Sequence, residues 1–384
     1  MKIIPYGRQW IDASDIREVI KVLKSDWLTQ GPKIKEFEGA LCDYTGAKYA
    51  VAVSSGTSAL HIACLAAGIK RGDEVITSPI TFVASANCIL YCGGKPVFAD
   101  IQKDTVNIDP EEIKKKISPN TKAIIPVHFA GHPCDLEEIS LIAQKHNLLV
   151  IEDAAHALGA EYKNTKIGSC KYSDMAIFSF HPVKSITTGE GGAILTNNEE
   201  IFKKLLIFRN HGIAKEKAEL MNKNEGPWFY EMHELGFNYR ITDIQATLGI
   251  SQLKKINSFI SDRREIAKFY NKSFRGNNYF DIPVEREYVF SAYHLYPIRV
   301  KDKFKVQKKE IFNKMRDSGL GIQVHYIPVY LQPFYKKLGY KIKICPKAED
   351  FYEKEISIPM YPSLKDTQIK FVVKEILKIF KNYE

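Results

Sequence analysis

The chain predicts an α/β architecture: a large domain built on a mostly parallel seven-stranded sheet, followed by a smaller C-terminal α+β domain. Seven short apolar, β-branched runs recur in the first half, at residues 49–53, 74–77, 96–100, 123–127, 148–151, 175–179 and 192–196. Helical spacing separates many of them. In 135–146, for example, Leu136, Ile139 and Ala143 fall on one face. Short apolar strands that alternate with helices belong to a largely parallel sheet covered on both sides. After about residue 250 the pattern changes to a long helical stretch over 242–270, a strand at 295–300, a helix over 308–318 and the segment 323–326. The division expected is therefore 1–250 for the large, ligand-holding domain and 251–384 for the small one.

Composition agrees with a large folded chain. With 384 residues, 45% of them hydrophobic, a large core can be buried. The net charge of +10, from 55 basic and 45 acidic residues, is spread in short mixed runs, with nothing that resembles a nucleic-acid arm. No run of 18 apolar residues occurs, and residues 1–6 lack the apolar core of a secretory signal, so a cytoplasmic protein without a membrane span is expected. Seven cysteines, at 42, 64, 88, 92, 134, 170 and 345, lack the paired spacing of a zinc site and read as reduced, mostly core residues; no metal is implied.

The chemistry concentrates at the ends of the strands. Lys184 lies between an apolar strand and the glycine-rich turn Gly189, Gly191, Gly192. A crowded lysine loses its proton readily and can form an imine, or it can be a solvated residue at a strand end. Asp153 follows the fifth strand, at the carboxyl edge where α/β folds hold ligands. An acid there suits a cation such as the pyridinium nitrogen of pyridoxal phosphate (PLP), which it keeps protonated as an electron sink, or it simply caps the next helix. Residues 54–60 open a helix after the first strand, so their N–H groups and hydroxyls suit a phosphate, with Gly56 permitting close backbone approach. Phe82, after the second strand, can stack on a flat ring or pack in a core. The order of these features, each at the end of a successive element, favours the ligand reading for all four.

Those residues sit within longer matching stretches: 28–32, 54–60, 81–84, 152–156, 178–184, 189–192, 209–212, 236–240 and 324–328. Over nearly its whole length the sequence resembles the fold-type I PLP enzymes, and more closely the DegT/DnrJ/EryC1/StrS family of sugar aminotransferases. The resemblance implies Lys184 as the imine-forming catalytic lysine, Asp153 as partner of the ring nitrogen and His156 beside the ring. It implies Ser179, Gly56 and Thr57 at the phosphate and Phe82 near the ring. Asn238 matches a residue supplied from the neighbouring subunit, which implies a homodimer with shared active sites. For a nucleotide sugar it points to Tyr6, to Asp26, Trp27, Leu28 and Thr29, and to Gln323, Val324, His325 and Tyr326. The activity implied is a ping-pong transfer of an amino group from L-glutamate to C4 of a UDP-linked 4-keto-6-deoxy-N-acetylhexosamine, in pseudaminic acid biosynthesis. Amination of another nucleotide keto sugar, of the bacillosamine or dTDP type, uses the same PLP residues. A PLP-dependent sugar dehydratase carries histidine in place of Lys184, and a non-catalytic regulator has no need of Lys184, Asp153 and Ser179 together.

Overall fold

All seven apolar runs become strands of one sheet. The computed structural model describes residues 3–215 and 220–383; Met1 and Lys2 of the terminal stretch lie outside them. The first five strands are β1 (Tyr49–Val53), β2 (Glu74–Thr77), β3 (Lys95–Phe98), β4 (Thr121–Ile125) and β5 (Leu149–Asp153). A short hairpin, β6 (Glu161–Tyr162) and β7 (Thr165–Lys166), precedes β8 (Met175–Ser179) and β9 (Gly192–Thr196). The spatial order is β1-β9-β8-β5-β4-β2-β3. Every strand points the same way except β9, which runs antiparallel to both β1 and β8.

Side-chain alternation explains why these runs carry no polar face. From β1, Ala50 and Ala52 enter one core and Val51 and Val53 the other; Ala176 and Phe178 of β8 oppose Met175 and Ile177 in the same way. One face is covered by Ile34, Phe37, Leu41, Phe259 and Ile260, the other by Leu60, Ile62, Ala63, Ile89 and Leu205. Pro96 falls inside β3, where it is tolerated because β3 is an edge strand and its missing N–H costs no ladder bond. Strand β5 extends two residues further than the apolar run suggests, so Asp153 is the last residue of the strand itself rather than the first after it.

Beyond the sheet, β10 (Ile213–Ala214) pairs with β11 (Glu231–Met232). A second sheet has the order β12 (Phe280–Asp281), β14 (Tyr296–Val300), β15 (Glu355–Ile358), while β13 (Val289–Phe290) joins β6. Ile298, Val300, Ile356 and Ile358 pack against Tyr270, Phe274, Ile311, Met315, Val372, Ile376 and Phe380 in a separate core, which Ile4 also enters. The helical stretch expected over 242–270 is two helices, Asp243–Leu253 and Ile256–Phe274. Between them Lys255 turns back to buried Asp15, its Nζ 2.6 Å from Oδ2, and Ser251 and Gln252 donate to the same carboxylate. The second helix begins in the sheet's core, at Phe259 and Ile260, and ends in the C-terminal core, at Tyr270 and Phe274. Of the seven cysteines, 42 and 92 are half-buried and the others buried, all as free thiols. Among the described residues no helix is long and apolar enough to cross a membrane.

Candidate active site

A cleft of about 710 Å³ opens at the carboxyl ends of the parallel strands. The crossing of β9 against β8 makes a hairpin, and Lys184 rides on its loop. That loop is held by its own hydroxyls and amides: Thr187 Oγ1 donates to Phe180 O (3.0 Å), Gly189 N to Thr187 Oγ1 (3.0 Å) and Lys184 N to His181 O (2.9 Å). The cleft reaches the Lys184 side chain, yet protein atoms surround its amine, and this burial lowers the amine to about 8 against the opposing field of Asp153. The carboxylate of Asp153 is buried at the end of β5. Its Oδ2 accepts from Ser85 Oγ at 2.5 Å and Oδ1 from Ala155 N at 3.2 Å, while Ser85 Oγ also meets Thr81 Oγ1 at 2.7 Å. The preceding residue, Glu152, projects to the opposite side of the strand and bonds His128 Nε2 at 2.8 Å.

The helix Gly56–Ala66 starts beside the same hairpin. Its serines do not point outward as the sequence suggests: Ser55 Oγ accepts from Ser58 N (3.1 Å) and Ser58 Oγ from Ser55 N (2.9 Å), a closed capping box. What remains for an anion is the pair of backbone N–H groups at Gly56 and Thr57, without partners among the described residues, together with the hydroxyls of Thr57 and Ser179. Gly56 serves this packing directly. A Cβ there meets Ser179 Cβ at 2.9 Å and Oγ at 3.1 Å, so any larger residue pushes Ser179 away from the helix start.

On the opposite wall, His156 is buried with Nδ1 unpartnered and Nε2 3.3 Å from Tyr326 Oη. Its ring lies 4.2 Å from that of His294 and is nearly parallel to Tyr326 (27°, 6.2 Å). Burial first, and then the charge of Lys184, push its proton affinity well below the usual histidine range. Phe82 stands exposed at the rim, 6.5 Å from Tyr326.

The cleft therefore brings together Gly56, Thr57, Phe82, Asp153, His156, Ser179 and Lys184 with Tyr6, Gln323, Val324, His325 and Tyr326. It does not include Asn238, Asp26, Trp27, Leu28 or Thr29 of the same chain. Thr29 bridges to Thr242, and Leu28 O accepts from Asp243 N at 3.0 Å, which leaves Trp27 and Leu28 exposed at 56% and 46%. Asn238 pairs with Asn210. Ser85 and His294 were not singled out by sequence. Ser85 had one available signal, its position four residues after Thr81, which places the two hydroxyls on one side of a helical turn; His294 had none.

The residues present fit PLP. An unpartnered imidazole nitrogen, two open N–H groups, a buried carboxylate and a lysine of lowered proton affinity line one space. The DegT/DnrJ/EryC1/StrS aminotransferase family model matches residues 9–377. The chain is 44% identical over 382 residues, 99% of its length and 98% of the relative's, to the UDP-4-amino-4,6-dideoxy-N-acetyl-β-L-altrosamine transaminase of Campylobacter jejuni. Among solved structures it matches Helicobacter pylori PseC, an aminotransferase involved in the biosynthesis of pseudoaminic acid, with TM-score 0.93 and 38% identity over 99% of this chain and 100% of that one. A Streptococcus pneumoniae protein described as a sugar aminotransferase, solved in its PLP form, matches with TM-score 0.93 and 31% identity over 100% of both chains.

Proposed function

The chain belongs to the DegT/DnrJ/EryC1/StrS aminotransferase family and uses PLP, and from that premise we propose that it carries an amino group from L-glutamate to C4 of a UDP-linked 4-keto-6-deoxy-N-acetylhexosamine, the reaction of pseudaminic acid biosynthesis. The observation that carries the chemistry is Lys184, an amine lowered to about 8, in one cleft with buried Asp153. The substrate rests on the 44% identical transaminase, which is named for the corresponding UDP-linked 4-amino sugar.

In this reading PLP supplies an electron sink that stabilises negative charge on the carbon next to nitrogen. Lys184 would hold it through Nζ and would serve as the base and acid that moves a proton at Nζ; an amine near 8 is suited to both directions at neutral pH. Asp153, fixed by Ser85 and the Ala155 amide, would pair with the ring nitrogen and keep it protonated. Gly56 N–H, Thr57 and Ser179 would hold the phosphate, and the neutral His156 ring would lie beside the cofactor ring. Residues 1–250 hold the cofactor, and 251–384 bring Gln323 to Tyr326 over the substrate. A homodimer completes the site: exposed Trp27 and Leu28, with Trp228 (77% exposed) and Leu235 (76%), supply the apolar surface, and Asn238 and Asp26 to Thr29 reach the partner's cleft.

The test is the visible spectrum of the PLP-loaded protein before and after L-glutamate, followed by product analysis with the UDP-4-keto sugar. Loss of the imine band with glutamate and a 4-amino sugar product support the reading. A band that ignores glutamate, or an amino product only from a dTDP-keto sugar, overturns the donor or the substrate respectively.

A further inference from the structure

Strand β15 places Glu355 and Ser357 two residues apart, hence on one face, and both are fully buried. Ser357 also pairs with Gln323 through its backbone, Gln323 N to Ser357 O at 3.2 Å and Ser357 N to Gln323 O at 2.8 Å, which lays the cleft segment 323–326 alongside. The side chains then form one chain of contacts. Glu355 Oε2 accepts from His325 N at 2.7 Å, Glu355 Oε1 lies 2.5 Å from Ser357 Oγ, and Ser357 Oγ lies 2.9 Å from His325 Nδ1. The His325 ring lines the cleft, and its Nε2 has no hydrogen-bond partner among the described residues. Tyr6 (5.2 Å) and Tyr326 (4.8 Å) hold the ring in place between them.

We infer that Glu355 and Ser357 are positioning residues that set the tautomer of His325, so that Nε2–H faces the cleft as a donor to an oxygen of the bound nucleotide sugar. The ligand's identity rests on the function proposed above; the tautomer does not. A hydroxyl carries one proton, so the chain has two directions. A neutral Glu355 donates to Ser357, Ser357 donates to Nδ1, and the ring proton sits on Nε2. An ionised Glu355 accepts from Ser357, Nδ1–H donates to Ser357, and Nε2 is left bare.

The surroundings select the first direction. The cation whose charge acts on Glu355 is Lys308, which gives its Nζ to Tyr352 O at 2.5 Å rather than forming an ion pair with the carboxylate, and which also feels Glu353. Burial therefore pushes Glu355 up to about 8. On the cleft side His325 faces Lys184, Tyr6 and Tyr326, with His156 and His294 behind them; burial and then Lys184 lower the ring to about 3, so it stays neutral throughout.

The experiment is a two-bond proton–nitrogen correlation spectrum of the PLP-loaded full chain labelled with ¹⁵N-histidine, with His325 assigned by its loss in His325→Gln. At pH 7 the expected pattern is the Nε2-protonated tautomer, shifting toward Nδ1–H above the Glu355 midpoint near 8. Glu355→Gln imitates the neutral acid, its amide donating to Ser357 and its oxygen accepting from His325 N–H, and should hold the Nε2–H form at all pH values. Ser357→Ala should mix the tautomers and weaken the half-reaction with the sugar roughly tenfold, about the worth of one hydrogen bond, far more than the half-reaction with the amino donor. An Nδ1–H pattern at pH 7, or an unchanged tautomer in Ser357→Ala, overturns the inference. A correct tautomer in a protein that aminates no keto sugar overturns the function instead.

Discussion

The amine of Lys184 should behave as a base near pH 8, and this has a measurable kinetic signature. Free amine is the form that attacks a carbonyl. At pH 7 a lysine near 8 is about one-eleventh free, whereas one at the ordinary 10.5 is about one part in 3,000 free, a ratio of roughly 300. The assay is stopped-flow appearance of the visible imine band when PLP-free protein meets PLP, recorded from about pH 6 to 10, with Lys184→Ala as the blank. The rate should rise with pH and level off above about 8. Asp153 opposes the shift, because its negative charge favours the ammonium form. Asp153→Asn should therefore move the midpoint to lower pH even though it weakens cofactor binding, and the two effects separate because one is a midpoint and the other an amplitude. A rate that keeps climbing tenfold per pH unit past pH 9 refutes burial as the dominant cause, and an Asp153→Asn midpoint displaced upward refutes the opposing role of the Asp153 charge.

The same lowered amine is a stability cost in the PLP-free protein. Between about 8 and 10.5 the unfolded chain binds more protons at this site than the folded one, so unfolding free energy rises with pH there, by at most about 3 kcal/mol. Lys184→Met should be more stable than the parent at pH 7 and lose that slope, as read by denaturant titration at several pH values. Ser85→Ala removes the 2.5 Å donor to the Asp153 carboxylate and should weaken PLP binding by roughly tenfold or more, measured by titration of the imine band. Gly56→Ala forces a methyl to within 2.9 Å of Ser179 and should cost about 1–3 kcal/mol of stability together with cofactor affinity, measured by thermal melts with and without PLP. Mixing inactive Lys184→Ala with inactive Asn238→Ala should restore activity if Asn238 serves the partner's cleft, and separate proteins that stay inactive on mixing sink that placement.

The sheet was legible because a strand buried on both faces is apolar through its centre, and the seven runs met that condition without tertiary information, their polar residues (Glu74, Thr77, Asp100, Ser179, Thr196) falling at the run ends. Strand ends were less legible. A carboxylate at the last position of β5 breaks the apolar pattern, so the run stops before Asp153 although the ladder continues through it. The two helices over 243–274 merged into one in sequence because helical spacing continues across Lys254 and Lys255, and the bend depends on Asp15, some 240 residues away. The serines at 55 and 58 advertised an anion site by composition, but which donors stay open depends on local hydrogen bonding that composition does not encode.

The sequence by itself determined the sheet, through short apolar runs that burial demands, and the family, through motifs spread over nearly the whole chain, and it pointed to Lys184 and Asp153, which the structure brings to one cleft. Tertiary structure alone decided how those groups behave. The lowered amine of Lys184 comes from atoms packed around it, the hold on Asp153 from Ser85 some 68 positions earlier, and the partner of His325 from a strand some 30 positions later. Proton affinity and hydrogen-bond direction depend on distance and burial in space, and neither is a function of separation along the chain.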